Sequence, residues 1–247
     1  MARADGAPHR ALLDIQGQPM LVRVARRLLA WPGVERLYIS IDAGELLEPI
    51  SFIANARAMG QIEILESAGS PSQSVLDALD AAGLDHGPVL VTTADHALLD
   101  DAILAAFLEP GMTGGADLYA GLVSRSTIEA RFPTAKRTYL GFRDDGYSGA
   151  NLFLFRTSAS RRAAEFWRRV ENDRKQPWRI AKAFGLVTLL LFVLRRLDLA
   201  TAMERVSRTV GIRIEAIPLP IAEAAVDVDK LEDLELVRQI LDARGET

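Results

Sequence analysis

Val89-Leu90-Val91-Thr92-Thr93-Ala94-Asp95-His96 is the segment around which the rest of the chain organises. Val89–Thr93 is a continuous apolar and β-branched run, the mark of a strand covered on both faces. Asp95 comes two residues after it. A carboxylate there is poorly placed for a core and well placed to hold a hard cation; a turn or helix-capping aspartate is the competing reading. Upstream, Ser70–Ala82 reads as a helix with Pro71 in its first turn, Ile62–Leu65 as a short strand, Gly44–Met59 as a helix and Arg36–Ile41 as a strand. Pro19–Ala30 carries Met20, Leu21, Val24, Leu28 and Leu29 at helical spacing.

Downstream the alternation continues. Asp100–Leu108 is expected as a helix and Asp117–Val123 as a strand. Thr138–Phe142 and Asn151–Phe155 are expected as an antiparallel hairpin around Asp144-Asp145-Gly146. Helices are expected over Ser158–Asp173, Trp178–Leu197 and Leu199–Val210, then a strand over Ile212–Ile217 and a closing helix over Leu231–Arg244. Strands alternating with helices predict an α/β fold: a Rossmann-like, mixed but mostly parallel sheet with helices on both faces. No repeat or Pro/Gly-rich linker interrupts the chain, so residues 1–247 are expected to form a single domain.

Composition narrows the chemistry. The 247 residues are 49% hydrophobic and 25% charged, and none is cysteine. Thiol catalysis, zinc-thiolate sites, iron–sulfur clusters and disulfide scaffolds are therefore excluded. With 29 Lys+Arg against 33 Asp+Glu the net charge is −4, and no global positive field draws the chain to nucleic acid. Met1–Arg10 lacks the apolar core of a signal peptide, which predicts a cytoplasmic protein. Gly185–Leu194 (GLVTLLLFVL) is about half the roughly 20 apolar residues needed to span a bilayer. A buried helix with basic ends is expected there, and docking on an anionic membrane surface is the alternative.

Ligands of doubly wound sheets sit beyond the carboxyl ends of the strands. Besides Asp95, that rule draws attention to Asp227-Val228-Asp229, which precedes the closing helix. In an extended segment Asp227 and Asp229 share one side. Asp229 doubles as a candidate N-cap for the helix, which leaves Asp227 as the better metal ligand. His9, His86 and His96 have no ligand-like spacing.

These residues carry a resemblance. His9-Arg10-Ala11-Leu12-Leu13-Asp14-Ile15-Gln16-Gly17-Gln18-Pro19-Met20 resembles the K-A-L-L-x-[IV]-x-G-[KR]-P-[ML] segment of nucleotidyltransferases with the MobA-like, GT-A type fold. Ser72-Gln73-Ser74-Val75-Leu76-Asp77-Ala78-Leu79 resembles their Q-x-S helix start, and Thr93-Ala94-Asp95-His96 their metal-binding G-D-x-P turn. Ser148-Gly149-Ala150-Asn151-Leu152-Phe153 is similar to their G-x-N segment. Asp227-Val228-Asp229 with Glu232-Asp233-Leu234 is similar to the terminal D-[IV]-D-x-x-x-D.

The resemblance implies attack of an acceptor phosphate on the α-phosphorus of a nucleoside triphosphate, with release of pyrophosphate. It implies Mg²⁺ on Asp95 and Asp227. Arg10 would take the place of a phosphate-contacting lysine, and with Asp95 it forms the expected catalytic pair. Gly6, Arg10, Gln73, Ser74 and Asp95 would bind the nucleotide. Arg131, Lys136, Arg137 and Asn151 would face a small phosphorylated acceptor, although the basic residues equally suit a solvated loop. Ala11 and Leu12 are expected only to pack.

The family begins with a buried strand and a glycine-rich loop, L-A-G-G-x-x-x-R-M. Here nine residues precede Arg10 and only Gly6 among them is glycine. Without that strand, two neighbours in the sheet are expected to keep unpaired backbone groups. Two expectations follow: a true start upstream of Met1, or a degenerate relative that binds nucleotide without turnover. A glycosyltransferase using Asp227-Val228-Asp229 as its metal motif is a third reading, which leaves Asp95 unexplained.

Overall fold

A computed structural model of the chain describes residues 6–134, 137–171 and 185–245. His9 caps the first element: its Nδ1 accepts from the Ala11 amide at 3.1 Å and starts a 3₁₀ turn over Arg10–Leu12. A tight hairpin follows, β1 (Asp14–Ile15) and β2 (Gln18–Pro19), with Gln16 and Gly17 left-handed in its turn. Helix α1 (Met20–Ala30) then buries Met20, Leu21, Val24 and Leu28, the face that the spacing predicts. Strands β3 (Leu37–Ile41) and β4 (Ile62–Glu66) pair in parallel, from Leu37 opposite Ile62 to Ile41 opposite Glu66.

Between them the expected helix Gly44–Met59 is two pieces, a 3₁₀ turn over Gly44–Leu47 and α2 (Ser51–Ala58). Pro49 lies in the gap. It has no amide to donate to a helical ladder.

Helix α3 (Pro71–Ala82) starts where expected, the Ser70 hydroxyl accepting from the Gln73 amide at 3.3 Å. The run expected to be covered on both faces forms the three-residue β5 (Val89–Val91), and its residues are only half-buried. Its pairing explains this: among the described residues β5 has a partner on one side alone. After α4 (Asp101–Thr113) come β6 (Leu118–Ser124) and α5 (Arg125–Arg131), a helix the periodicity did not announce. Ser124 caps it by accepting from the Thr127 amide at 3.1 Å. The hairpin around Asp144-Asp145-Gly146 joins β7 (Leu140–Gly141) to β8 (Gly146–Phe155). Then follow α6 (Arg161–Glu171), α7 (Leu186–Val193), α8 (Leu199–Val210), β9 (Ile214–Pro218) and α9 (Leu231–Arg244).

The larger sheet has the order β5-β8-β6-β9, with β7 on β8. Strand β8 runs antiparallel to β5, β6 and β7, while β6 and β9 are parallel, so the sheet is mixed. Strand β3, like β5, has a partner on one side only among the described residues.

The chain divides into two compact units. One comprises Met1–Ser67, Thr93–Leu104 and Val226–Thr247; the other Ala68–Thr92 and Ala105–Ala225. The first is built around Leu21, Val22, Ile39, Ile41, Leu47 and Ile53. In the second, Leu76, Leu79, Leu118, Phe155, Ile212 and Ile214 form one core cluster. A smaller cluster there joins Phe142, Tyr147, Leu199 and Ala202.

Helix α7 corrects an expectation. The apolar run Gly185–Leu194 is not a buried helix: Val187, Leu190, Val193 and Leu194 are each more than half exposed. Phe192, on the other side, packs on the small cluster. The helix is apolar nearly all round, and among the described residues the unit packs on one face only. The remainder of the helix expected over Trp178–Leu197 lies largely outside the described residues.

Candidate active site

Three chain segments meet within the first unit, and backbone hydrogen bonds bring them together. The Val228 amide donates to the Asp95 carbonyl at 3.1 Å, which joins the Asp227-Val228-Asp229 segment to the turn after Thr93. The burial of Val226 and Val228, against half-buried Asp227 and exposed Asp229, follows the alternation expected of an extended segment. Helix α9 holds the segment from the other end. Arg238 donates to the Asp14 carbonyl at 2.6 Å and Arg244 pairs with Asp100 at 3.0 Å.

Arg10 is the centre of this arrangement. Its Nη2 donates to Asp95 Oδ2 at 2.8 Å, to the Val228 carbonyl at 2.7 Å and to Asp229 Oδ1. Its Nε also donates to the Val228 carbonyl, at 3.1 Å. Thr93 Oγ1 donates to the other oxygen of Asp95, Oδ1, and so fixes the plane of that carboxylate. Asp95 is the most enclosed of the three charged groups, its side chain 20% exposed against 42% for Arg10 and 56% for Asp229. Three oxygens, two of them from carboxylates, thus converge on a single cationic nitrogen.

Asp229 therefore does not cap α9. Lys230 is the N-cap residue, and the Asp233 carboxylate accepts from the Asp229 and Lys230 amides at 3.2 and 2.9 Å. Because Asp233 satisfies the helix start, Asp229 is available to Arg10. The Asp229 carboxylate shares Arg10 with Asp95, and Asp227, which the spacing favours as the second metal ligand, stands half-buried two residues before it. Thr93 and the Val228 carbonyl were missed altogether. A hydroxyl two residues before Asp95 was legible as a possible partner, but a backbone carbonyl has no signature in sequence.

His96 is buried, and among the described residues neither ring nitrogen has a hydrogen-bond partner. Burial lowers its pKa to about 4, against an opposing pull from Asp100. It stays neutral near pH 7 and serves the turn as a packing group.

The other expected residues are spread more widely. Gly6 has φ +75°, with open space where a Cβ would stand. Gln73 and Ser74 lie in the second unit and are tied into its structure. Gln73 donates to Asp77 at 2.7 Å and accepts from Arg168 at 2.7 Å, while Ser74 Oγ accepts from the Ala68 amide at 2.9 Å. Arg131 pairs with the nearly buried Glu223 at 3.3 Å and lies over the Phe132 ring. Arg137 is half-buried, and Lys136 lies outside the described residues.

Asn151 is distinctive. It has φ +50° in the middle of β8, where the register against β6 slips between Ala120 and Leu122. Left-handed backbone at a bulge is costly for a side chain-bearing residue, and such outliers concentrate at functional sites.

The profile of the MobA-like NTP transferase domain matches residues 2–180. The chain belongs to this family. A hypothetical transferase from Thermus thermophilus is 31% identical, with a TM-score of 0.76 over 94% of this chain and 93% of that one. The 2-C-methyl-D-erythritol 4-phosphate cytidylyltransferase of Acidobacterium capsulatum is 24% identical over 161 residues, covering 58% of this chain and 67% of that protein. A structure of CMP:2-keto-3-deoxy-manno-octonic acid synthetase complexed with CTP is similar in fold alone, at 16% identity and a TM-score of 0.59 over 96% and 93% of the chains. As a MobA-like domain the chain has the α/β architecture of nucleotidyltransferases. The family match stops short of Asp229, whose place in the site rests on geometry.

Proposed function

We propose that this MobA-like domain transfers a nucleoside monophosphate from a nucleoside triphosphate to a small phosphorylated acceptor. An acceptor phosphate oxygen bonds to the α-phosphorus, the bond from that phosphorus to the bridging oxygen breaks, and pyrophosphate leaves with the electron pair. The observation that carries this reading is the convergence of Asp95, Asp229 and the Val228 carbonyl on one nitrogen of Arg10. Hard oxygen donors around one cationic point suit Mg²⁺, which takes one or two carboxylates and keeps several waters. Asp95 and Asp229 would hold the ion, with Asp227 beside them in the chain, and the ion would neutralise charge on the phosphate oxygens.

The work of the protein's own groups is positioning and electrostatics. Thr93 holds Asp95 in one orientation, and the Val228–Asp95 backbone bond keeps the two acidic segments in register. Arg10 forks onto phosphate oxygens once the carboxylates have another counter-ion. Its present ion pairs are partly exposed and worth about 1 kcal/mol each, so exchanging them for triphosphate costs little. Cytidine triphosphate is the first substrate to test, because two of the relatives are named for cytidylyl chemistry. Pyrophosphate release from CTP and Mg²⁺ with a panel of sugar and alcohol phosphates, lost in Asp95→Asn, is the expected result. Turnover that persists in that variant would sink the reading.

A second reading is favoured by Arg10 itself. A guanidinium that already neutralises both carboxylates suits a protein that binds nucleotide without turning it over. Calorimetric binding of CTP with no pyrophosphate release under any acceptor would select it.

A further inference from the structure

Helix α7 presents an exposed apolar face. Thr188 accepts from Arg205 at 3.1 Å, and the Phe192 ring packs edge-on against Phe142 with centroids 5.5 Å apart. Those two residues pin the helix inward. The opposite stripe is outward: Val187 is 64% exposed, Leu190 56% and Val193 67%. Large aliphatic side chains in a row on a pinned helix form a rigid apolar ridge, not a loose end.

The charge around the ridge says what it meets. Arg195 and Arg196 follow it directly and are exposed. From Gly185 to Arg208 the sequence holds four basic and two acidic residues, in a chain whose net charge is −4. An apolar helical face between basic residues is the pattern of a segment that lies in a lipid interface, with cations at headgroup phosphates and aliphatics among the acyl chains. Eight residues of helix span about 12 Å, far short of a bilayer core. Among the described residues no helix is long and apolar enough to cross a membrane.

We propose that α7 docks this protein on an anionic membrane surface, with Val187, Leu190 and Val193 inserted and Arg195 and Arg196 on lipid phosphates. The inference stands apart from the transfer reaction and survives its failure.

Flotation of the full chain tests it, using phosphatidylcholine vesicles with and without about one-third phosphatidylglycerol. The protein is expected to float with the anionic vesicles about tenfold more than with the neutral ones. Raising salt from about 0.1 to about 0.5 M should remove most of that binding. Leu190→Glu, and independently Val187→Ser, should lower anionic partitioning about tenfold, with the circular dichroism of the wild type kept. No binding to anionic vesicles overturns the proposal. So does binding that both variants leave intact, which would place the contact elsewhere. A dimer in solution that Leu190→Glu splits, without vesicle binding, would show that a second copy covers the face.

Discussion

Arg10 does at residue scale what no propensity predicts: it holds two acidic segments together by standing between them. Removing it should expose competing preferences. Arg10→Ala leaves Asp95 and Asp229 without their shared cation, so divalent ions should bind about tenfold more tightly in the variant, as read by electron paramagnetic resonance with Mn²⁺. Turnover should fall in the same variant, because the fork onto phosphate is gone. Weaker ion binding in Arg10→Ala would show that the arginine, not an ion, is the permanent partner. Asp95→Asn keeps the size of the side chain and the Thr93 hydrogen bond, so thermal unfolding should change little while pyrophosphate release falls about a hundredfold or more.

Tyr147 offers a second residue-scale test. Burial, together with its 2.9 Å hydrogen bond to Asp144, pushes the phenol from 10.0 up to about 12. A raised pKa in the folded state means stability that is complete below pH 10 and lost as pH climbs towards 12. Tyr147→Phe should flatten that alkaline fall in melting temperature; an unchanged fall would assign it to another group.

At the scale of elements, capping decides which residues the site receives. Asp233 satisfies the start of α9 and so releases Asp229. Asp233→Ala should cost about 1 kcal/mol in urea unfolding and also weaken ion binding, since Asp229 then becomes the nearest replacement cap. The loss of stability without any change in ion binding would separate the two roles. Asn151 is the second case. Asn151→Gly relieves a left-handed position and should stabilise the fold by up to about 1 kcal/mol. If the side chain orients an acceptor, the same variant loses turnover, a pairing of gain and loss that a purely structural asparagine does not produce.

Taken whole, the molecule should respond to nucleotide as one binding equilibrium. CTP with Mg²⁺ at about a hundred times its dissociation constant should stabilise the fold by roughly 2.7 kcal/mol, and a thermal shift assay should show no such gain in Asp95→Asn.

The chain's own pattern of apolar spacing and turn residues determined most of the order of strands and helices, α5 and the β1–β2 hairpin excepted, because those signals are local. It carried α1, α3 and α9 nearly to their ends, and it marked Asp95 and the Asp227–Asp229 segment as one chemical problem. Pro49, in the gap before α2, is a helix-breaking signal that the expected helix Gly44–Met59 left unused. Tertiary structure alone decided that Asp229 shares Arg10 with Asp95, since that depends on where the cap of α9 falls and where the Val228 amide finds a carbonyl. Among the described residues it also decided that β5 pairs on one side and that one face of α7 is exposed. Burial is a property of what the rest of the chain brings alongside, and an apolar run is the same string whether or not a partner arrives to cover it.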